Sequence, residues 1–389
     1  MIQPAERLNL VSEYYFSRKL KEVARLNAEG LDIISLAIGS PDMPPSERTI
    51  EKLCEVARRS DSHGYQPTMG TPELRQAMAG FYKRWYGVEL DPAREILPLI
   101  GSKEGILHIT LSFVNPGDTV LVPNPGYPTY TSLSKILGAN VVYYNLKEGG
   151  WQPDFDQLEE IVAGEALNCK LLWTNYPNMP TGAPARRETY ERLVRFAQEH
   201  DIVVVNDNPY SFILNREKPL SMLQVPGAKD CGIELNSMSK SYNMPGWRIG
   251  LCATNAQFAE WILKVQSNIE SGMFRGLQLA AVEAYNNDDA WHREYNVETY
   301  ARRRRYAEQI MYVLGCRYDP QQVGMFLWGR IPDKYNNVEE LTEQVLHEAR
   351  VFITPGFIFG SNGERYIRIS LCAREEKIKE ALERIKKAI

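Results

Sequence analysis

Between residues 96 and 253, short apolar runs alternate with segments in which apolar residues recur at helical spacing. The apolar runs predict strands at residues 96–100, 119–123, 141–145, 171–175, 202–206, 232–235 and 249–253. The periodic segments predict helices at residues 103–113, 128–137 and 187–199. Strands joined through helices favour a mostly parallel sheet covered on both faces. Such sheets bind ligands at the carboxyl ends of their strands, so we expect the functional residues there.

The pattern changes after Ala253. Helical spacing then extends over two long stretches, residues 255–286 and 290–314. The remaining segments are an apolar run at 325–330, a predicted helix at 338–347, a predicted strand at 365–371 and a predicted helix at 375–388. This mixture predicts a smaller α+β unit. We therefore expect three parts. Residues 1–45 form an N-terminal arm that packs on the small unit or reaches a neighbour. Residues 46–285 form a large domain, and residues 286–389 form a small C-terminal domain.

Composition excludes several classes of function. Of the 389 residues, 44% are apolar and 24% are charged, which is typical of a chain with a real core. The net charge of −4 argues against a nucleic-acid partner, and the basic run at residues 302–305 is expected on a solvated helix face or a subunit contact. We see no membrane span, no signal-like apolar segment and no paired cysteine motif, so we expect a cytoplasmic protein with no membrane partner. The five histidines show no ligand spacing, and no metal site is predicted.

Lys240 has the most informative surroundings in the chain. Ser237 and Ser239 precede it, and Arg248 follows eight positions later. A lysine in this setting can hold an aldehyde cofactor as a Schiff base while the serines and the arginine bind a phosphate of the same molecule. These properties indicate pyridoxal 5'-phosphate, whose enzymes also pair the ring nitrogen with an acidic residue. The chain should then contain that acid, a phosphate-binding turn and a substrate anchor.

Asp207 is the candidate acid, because it closes the strand predicted at 202–206. Its charge would keep the pyridine nitrogen protonated, so that the ring can accept electrons from a carbanion. Tyr210 follows three residues later and can donate to the phenolic oxygen of the cofactor. Taken alone, the two residues would more often be a turn residue and a packed aromatic. Lys240 downstream favours the functional interpretation.

The candidate phosphate-binding turn joins a predicted strand to a predicted helix. Gly101 permits a tight turn there, and Ser102 and the free amides of the helix start suit an anion, although serine is also an ordinary helix cap. Tyr65 lies in a glycine-bounded loop that can deliver a phenol to a phosphate, including one across a subunit boundary. Tyr127 lies between a strand and a helix and is expected to stack on the pyridine ring.

Arg368 is the candidate anchor for the substrate. Strand alternation places it on the face opposite Ile367 and Ile369. A guanidinium binds a carboxylate through two parallel hydrogen bonds and always keeps its charge. The ordinary alternative is an exposed strand arginine, and Arg365 and Arg374 are weaker candidates for the same role.

On these motifs the chain resembles the class I/II aminotransferases, which are fold-type I pyridoxal-phosphate enzymes. Within them it is similar to the branch of aspartate, aromatic and LL-diaminopimelate aminotransferases. The resemblance covers nearly the whole chain, and its most specific segments are Ser237-x-Ser239-Lys240 with Arg248 and Asp207-x-x-Tyr210. It implies a large domain with a mostly parallel sheet between helices, together with a smaller α+β domain.

The resemblance also implies a role for each candidate residue. Lys240, Asp207 and Tyr210 would be catalytic, and the phosphate would be bound by Ser102, Lys103, Ser237 and Arg248. Tyr65 would reach the phosphate of a partner subunit, which implies a homodimer with active sites at the interface. The backbone amide of Gly39 would bind the substrate carboxylate that Arg368 holds.

One position departs from the family pattern. The family usually carries Asn-Pro-Thr-Gly, whose asparagine bonds the phenolic oxygen, but here Met179 occupies that position. A thioether cannot donate a hydrogen bond. Either Asn178 or Asn175 replaces the missing donor, or Tyr210 acts alone.

The predicted reaction is transamination in two half-reactions through an imine of Lys240. An L-amino acid gives up its amino group and leaves as a 2-oxo acid, and a second 2-oxo acid, expected to be 2-oxoglutarate, accepts the group. A carbon–sulfur β-lyase on the same scaffold is the alternative, because a fold does not fix a reaction. A non-catalytic module that senses the cofactor is a more remote one. Acidic, aromatic, methionine-like and diaminopimelate donors all stay open.

Overall fold

A computed structural model describes residues 2–11, 15–164 and 168–389. The strands are β1 (Ile34–Ser35), β2 (Ile96–Leu99), β3 (Thr119–Asn124), β4 (Asn140–Lys147), β5 (Gln152–Pro153), β6 (Cys169–Thr174), β7 (Val203–Asp207), β8 (Gly232–Ser237), β9 (Gly250–Ala253), β10 (Arg317–Tyr318), β11 (Phe326–Arg330), β12 (Val351–Phe352), β13 (Thr354–Pro355) and β14 (Tyr366–Ser370). Each strand predicted between residues 96 and 253 is confirmed, with ends that differ by two residues or fewer.

The α-helices cover most of the segments between these strands. They are α1 (Tyr15–Ala28), α2 (Glu47–Ala57), α3 (Pro72–Tyr86), α4 (Ser102–Phe113), α5 (Pro128–Ile136), α6 (Phe155–Gly164), α7 (Arg187–Glu199), α8 (Ala228–Cys231), α9 (Met238–Ser241), α10 (Ala256–Ile269), α11 (Arg275–Tyr285), α12 (Asp289–His292), α13 (Thr299–Val313), α14 (Val338–Glu348) and α15 (Glu375–Ala388). None of the helices in the described ranges combines the length and the apolarity that a membrane span needs.

The large sheet has the strand order β2-β9-β8-β7-β6-β3-β4-β5. Its central strands, from β4 through β3, β6 and β7 to β8, run parallel, while β9 is antiparallel to both of its neighbours. The predicted α/β fold with a mostly parallel sheet is therefore confirmed. Because these parallel strands share a direction, their carboxyl ends lie along one edge, where polar residues from β7 and β8 come together.

Apolar side chains cover both faces of the large sheet. Along β6, Leu171 and Trp173 belong to the cluster that packs beneath α4, α5 and α10, whereas Leu172 belongs to the cluster on the opposite face. The same alternation separates Val205 from Val204 in β7. Removing apolar surface from water contributes about 25 cal/mol for each Å² buried, so this two-sided core holds the strand ends in a fixed arrangement.

The C-terminal part of the chain builds a second, smaller sheet. Strands β10, β11, β14 and β13 are antiparallel neighbours in that order. The N-terminal segment packs here too, since β1 pairs in parallel with β12 and Val23 and Ile33 share an apolar cluster with Phe352. Arg368 lies in β14, next to the segment that leads to Gly39. The domain boundaries that we expect from the sequence stay a prediction.

The prediction of a single helical stretch at 255–286 is wrong in one respect. It consists of two helices, α10 and α11, with a break at residues 270–274. Within the break, Gly272 forms an isolated bridge with Gln66, and a Cβ atom at Gly272 would lie 2.2 Å from the Pro67 carbonyl oxygen. The backbone of the Tyr65 loop approaches so closely that the chain cannot continue as a regular helix.

The arginine run at 302–305 is not a purely solvated face, which corrects the prediction from charge patterning. Arg303 is only 5% exposed. Its two terminal nitrogens donate to the two oxygens of Asp42 at 2.7 and 3.0 Å, while Arg302 pairs with Glu294 at the surface. One member of the run therefore connects α13 to the N-terminal segment that leads from Gly39.

We predict that the Asp42→Asn substitution lowers the free energy of unfolding by about 3 kcal/mol, because it leaves the buried guanidinium of Arg303 without its counter-charge. Urea unfolding followed by circular dichroism measures the change. The matched control is Asp61→Asn, which breaks the exposed pair with Arg59 and should change stability by less than about 1 kcal/mol. Equal losses in the two variants would contradict the prediction.

Candidate active site

A cavity of about 350 Å³ opens at the carboxyl edge of the large sheet. Most of the residues predicted from the sequence line it, namely Gly39, Ser102, Lys103, Tyr127, Asp207, Tyr210, Ser237, Ser239, Lys240, Arg248 and Arg368. The cavity is also lined by Phe16, Tyr130, Asn175, Met179 and Phe326, among others. The structure therefore gathers side chains that are separated by more than three hundred positions in the sequence.

Lys240 enters the cavity from α9, the short helix that follows β8. Ser237 closes the strand and caps this helix, since its Oγ accepts a hydrogen bond from the Ser239 amide at 3.1 Å. The Lys240 Nζ donates to the Gly39 carbonyl oxygen at 2.5 Å. Burial lowers the pKa of Lys240, which favours the neutral amine. A neutral amine is the form that attacks an aldehyde or takes a proton from carbon.

Asp207 ends β7 with a buried carboxyl group. Its Oδ2 accepts a hydrogen bond from the Tyr130 hydroxyl at 2.9 Å, whereas Oδ1 is buried with no partner among the described residues. Burial raises the pKa of Asp207 to about 6, against the opposing effects of Tyr130 and Lys240. A buried carboxyl oxygen without a hydrogen-bond partner is stabilised when a positively charged donor binds to it.

Tyr130 is a site residue that the sequence did not reveal. It lies on α5, three residues after Tyr127, and its ring stacks on Trp173 with centroids 4.9 Å apart and planes 3° apart. The stacking fixes the direction of the hydroxyl toward Asp207. The signal available in the sequence was its spacing from Tyr127, which puts both aromatics on one side of the helix.

An anion-binding cradle forms at one end of the cavity. Gly101 has a φ of +84°, and a Cβ atom there would lie 2.0 Å from the Arg248 guanidinium, so only glycine fits. Arg248 donates to the Ser239 Oγ at 3.2 Å. Ser102 begins α4, whose unpaired amides and positive dipole end favour an anion. With Ser237 also lining this end, the cradle combines one positive charge, hydroxyl groups and backbone donors.

Arg368 lies in β14 between two aromatic rings. Its guanidinium carbon is 4.0 Å from the ring centroid of Phe326 and 4.6 Å from that of Phe359. Its Nη2 donates to the Ala37 carbonyl oxygen at 2.8 Å, and its Nη1 lies 3.3 Å from the Met179 Sδ. Rings on either side restrict the orientation of the guanidinium, which suits bidentate binding of a carboxylate.

Two aromatic hydroxyls complete the walls of the cavity. Burial raises the pKa of Tyr210, so its hydroxyl stays protonated and can donate a hydrogen bond. Its ring packs edge-to-face against Phe326, with centroids 5.9 Å apart. Tyr127 caps α5 and makes a similar contact with Tyr130.

Three predicted residues are not among those that line the cavity, namely Gly101, Asn178 and Tyr65. Asn178 is buried in a turn, where its side chain donates to the Asn175 carbonyl oxygen and accepts from the Thr181 hydroxyl at 2.7 Å. These hydrogen bonds of the Asn178 side chain are made within the turn, and Asn178 does not line the cavity. Tyr65 is 94% exposed and does not line the cavity of its own chain. Met179, in contrast, does line the cavity.

The architecture is that of the fold-type I pyridoxal-phosphate enzymes. Substrate-bound BacF from Bacillus subtilis is similar to this chain with a TM-score of 0.93 and 34% identity, over 100% of this chain and 98% of that one. A mutant of Thermus thermophilus aspartate aminotransferase is similar with a TM-score of 0.91 and 26% identity, over 100% of both chains.

Sequence comparisons identify the family. The profile of aminotransferase class I and II matches residues 31–385. The LL-diaminopimelate aminotransferase of Halothermothrix orenii is 40% identical over 387 residues, which cover 99% of this chain and 98% of that protein. The chain belongs to the class I and II aminotransferases, and it is an aminotransferase. The predicted enzyme class is therefore confirmed.

We predict that Asp207→Asn stabilises the cofactor-free protein at high pH. The pKa of Asp207 is raised by folding, so the folded state favours the protonated form, and stability falls as the pH rises through about 6. Asparagine has no charge to bury, and the variant should be more stable by about 3 kcal/mol near pH 8, with little difference below about pH 4. Thermal and urea unfolding across this pH range measure the difference.

The Tyr130→Phe variant is the matched control for this experiment. It removes the hydrogen bond that lowers the pKa of Asp207, so the folded-state pKa should move further upward, and the loss of stability with rising pH should become larger and extend to higher pH. A difference between wild type and Asp207→Asn that does not vary with pH would contradict the assignment.

Proposed function

We propose that this aminotransferase holds pyridoxal 5'-phosphate in the cavity and that Lys240 forms the covalent link to the aldehyde. The observation that carries the proposal is the buried Oδ1 of Asp207, which lacks a partner among the described residues and shares its cavity with Lys240. A protonated pyridine nitrogen would supply the missing donor. The cradle of Ser237, Ser239 and Arg248 has the charge and the hydroxyl groups that a phosphate needs.

When bound, pyridoxal phosphate supplies an electron sink for negative charge at the substrate α-carbon. Lys240 carries out the proton transfers, since its lowered pKa makes the neutral amine accessible as a base. An ionised Asp207 would hold a ring nitrogen in its protonated form. The protonated hydroxyl of Tyr210 would serve as a hydrogen-bond donor to the phenolic oxygen.

Tyr210 and Asn175 are the candidate side-chain donors to the phenolic oxygen in this proposal. Asn175 lines the cavity, and its side-chain amide donates one of its two N–H groups to the backbone oxygen of Asp207 at 2.5 Å. Asn178 does not line the cavity, and Met179 offers no donor. The phenolic oxygen would therefore be bound by Tyr210, with the second N–H of Asn175 available as a further donor.

The substrate binds through its α-carboxylate. Arg368 provides the fork, and the backbone amide of Gly39 provides a further donor on the same side of the cavity. A Cβ atom at Gly39 would lie 2.4 Å from the Phe326 ring, so glycine is required where this backbone segment passes. Holding the carboxylate in place favours reactions that retain it, as transamination does.

LL-diaminopimelate is the amino donor that we propose to test first. The support is that relatives known as LL-diaminopimelate aminotransferases match at about 40% identity over nearly the whole chain. The acceptor in this proposal is 2-oxoglutarate. Transamination rates measured with a panel of amino donors that includes aspartate, phenylalanine and methionine separate this donor from the other classes of donor.

We also propose a cytoplasmic homodimer in which Tyr65 acts across the interface. Its ring is exposed and outside its own cavity, and the bridge between Gln66 and Gly272 holds the loop to the segment that follows α10. A phenol held in this way is available to the phosphate cradle of a second subunit.

The central experiment compares wild type with Lys240→Ala. We expect the variant to lose transamination by about 1000-fold or more and to lose the visible absorption of a lysine-linked cofactor, because it lacks the amine that forms the covalent link and transfers the proton. Lys264→Ala, at the exposed surface of α10, is the control and should behave as wild type. Turnover by Lys240→Ala would contradict the assignment, and pyruvate release from cystathionine without a 2-oxo acid would indicate the β-lyase instead.

A second experiment tests the dimer. We expect sedimentation velocity to give a dimer, and Tyr65→Phe to release pyridoxal phosphate about tenfold more readily on dialysis, because one hydrogen bond to a charged phosphate is lost. The oligomeric state of the variant should not change. A monomeric wild type, or a variant that retains the cofactor as wild type does, would contradict the proposed role of Tyr65.

A further inference from the structure

Three side chains that commonly bind metals meet next to the active site. Glu104 and His108 lie four residues apart on α4, whose first residue, Ser102, lines the cavity, and Glu270 directly follows α10. One potential ligand atom from each of the three lies within 4.8 Å of the other two. Because residues four apart share a helix face, α4 presents the carboxylate and the imidazole together toward Glu270.

His108 is the observation that points to a ligand. It is fully buried, and neither of its ring nitrogens has a hydrogen-bond partner among the described residues. In a neutral imidazole one nitrogen carries a lone pair that can bind a metal ion. The histidines of the two other such clusters already contact a carboxylate, His200 at 2.9 Å from Glu159 and His347 at 3.3 Å from Glu343.

Neither carboxylate forms an ion pair among the described residues, although the charge of Arg248 acts on Glu104. Glu104 accepts a hydrogen bond from the Ile100 amide at 3.1 Å, and Glu270 accepts one from the Gln266 side chain at 2.6 Å. The Oε2 atom of Glu270 is buried with no hydrogen-bond partner among the described residues. Glu270 also lies at the negative end of the α10 dipole, which favours a cation.

We propose that Glu104, His108 and Glu270 form a binding site for one divalent transition-metal ion. One imidazole nitrogen with carboxylate oxygens is a donor set that Zn²⁺ and Mn²⁺ accept, and water would complete the coordination. The ion satisfies the buried imidazole, neutralises the facing carboxylates and connects the start of α4 to the end of α10. It is a structural ion beside the anion cradle and takes no part in amino-group transfer.

The proposed site departs from the expectation of no metal. The histidine spacings in the sequence show no pair of ligands, and a Glu–His pair at helical spacing is too common to stand out. The third ligand, Glu270, comes from a segment that the sequence predicted to be the middle of one long helix. In the structure Glu270 lies at the end of α10, where the break at 270–274 begins.

The test uses the full-length enzyme, treated with a chelator and then titrated with ZnCl₂ and, separately, with MnCl₂ by isothermal calorimetry. We expect one ion per chain, confirmed by mass spectrometry of the dialysed protein, and a Tm that rises with ion concentration. Glu104→Gln and His108→Asn should each weaken binding by about tenfold or more, since losing a direct ligand costs at least as much as losing an outer partner.

Glu199→Gln is the matched control, because Glu199 belongs to the exposed cluster with Glu159 and His200. It should leave the affinity unchanged. The proposal is overturned if wild type binds no stoichiometric ion, or if Glu199→Gln weakens binding as much as Glu104→Gln. It is also overturned if Glu104→Gln raises the Tm while ion binding stays as in wild type, because the two carboxyl groups then hold only a shared proton.

Discussion

The buried carboxyl group of Asp207 imposes the constraint on which the rest of the site depends. Burial disfavours its charged form, and Tyr130 satisfies only one of its two oxygens. A buried charge is stable only when a cation or a set of donors compensates it. In the proposed function the ring nitrogen of the cofactor provides that compensation, and the same contact makes the ring an electron acceptor. In that proposal, the group that compensates the buried carboxyl group is also the group that supplies the electron sink.

The large sheet makes this arrangement possible because it fixes the ends of neighbouring strands. Strand β7 delivers Asp207, and β8 delivers Lys240 through a helix of one turn. The smaller unit brings Arg368 and Gly39 against the same cavity, although they lie near opposite ends of the chain. Apolar packing on both faces of the sheet supplies the rigidity, and the polar residues at its edge need only short connections to meet. The Arg248 guanidinium approaches Gly101 so closely that no side chain fits at position 101.

Much of this organisation could be predicted from the sequence, and the exceptions have physical reasons. Strands were predicted well because continuous apolar runs mark segments buried on both faces. Asp207 and Lys240 stand out because polar residues directly after such runs fall at the sheet edge. Tyr130 was missed because a stacked tyrosine on a helix resembles any core aromatic. Arg303 was misplaced because charge patterning assumes solvation, and Gly272 was missed because the backbone that approaches it comes from a distant loop. Each of these depends on a contact between segments that are far apart in the chain.

The most direct test of the account is the protonation state of the ring nitrogen opposite Asp207. Pyridoxal phosphate labelled with ¹⁵N in its ring can be bound to the protein and observed by NMR spectroscopy. The account predicts the chemical shift of a protonated pyridine nitrogen in wild type, and a shift toward the neutral value when Asp207 is replaced by alanine. A neutral ring nitrogen in the wild-type protein at neutral pH would contradict it.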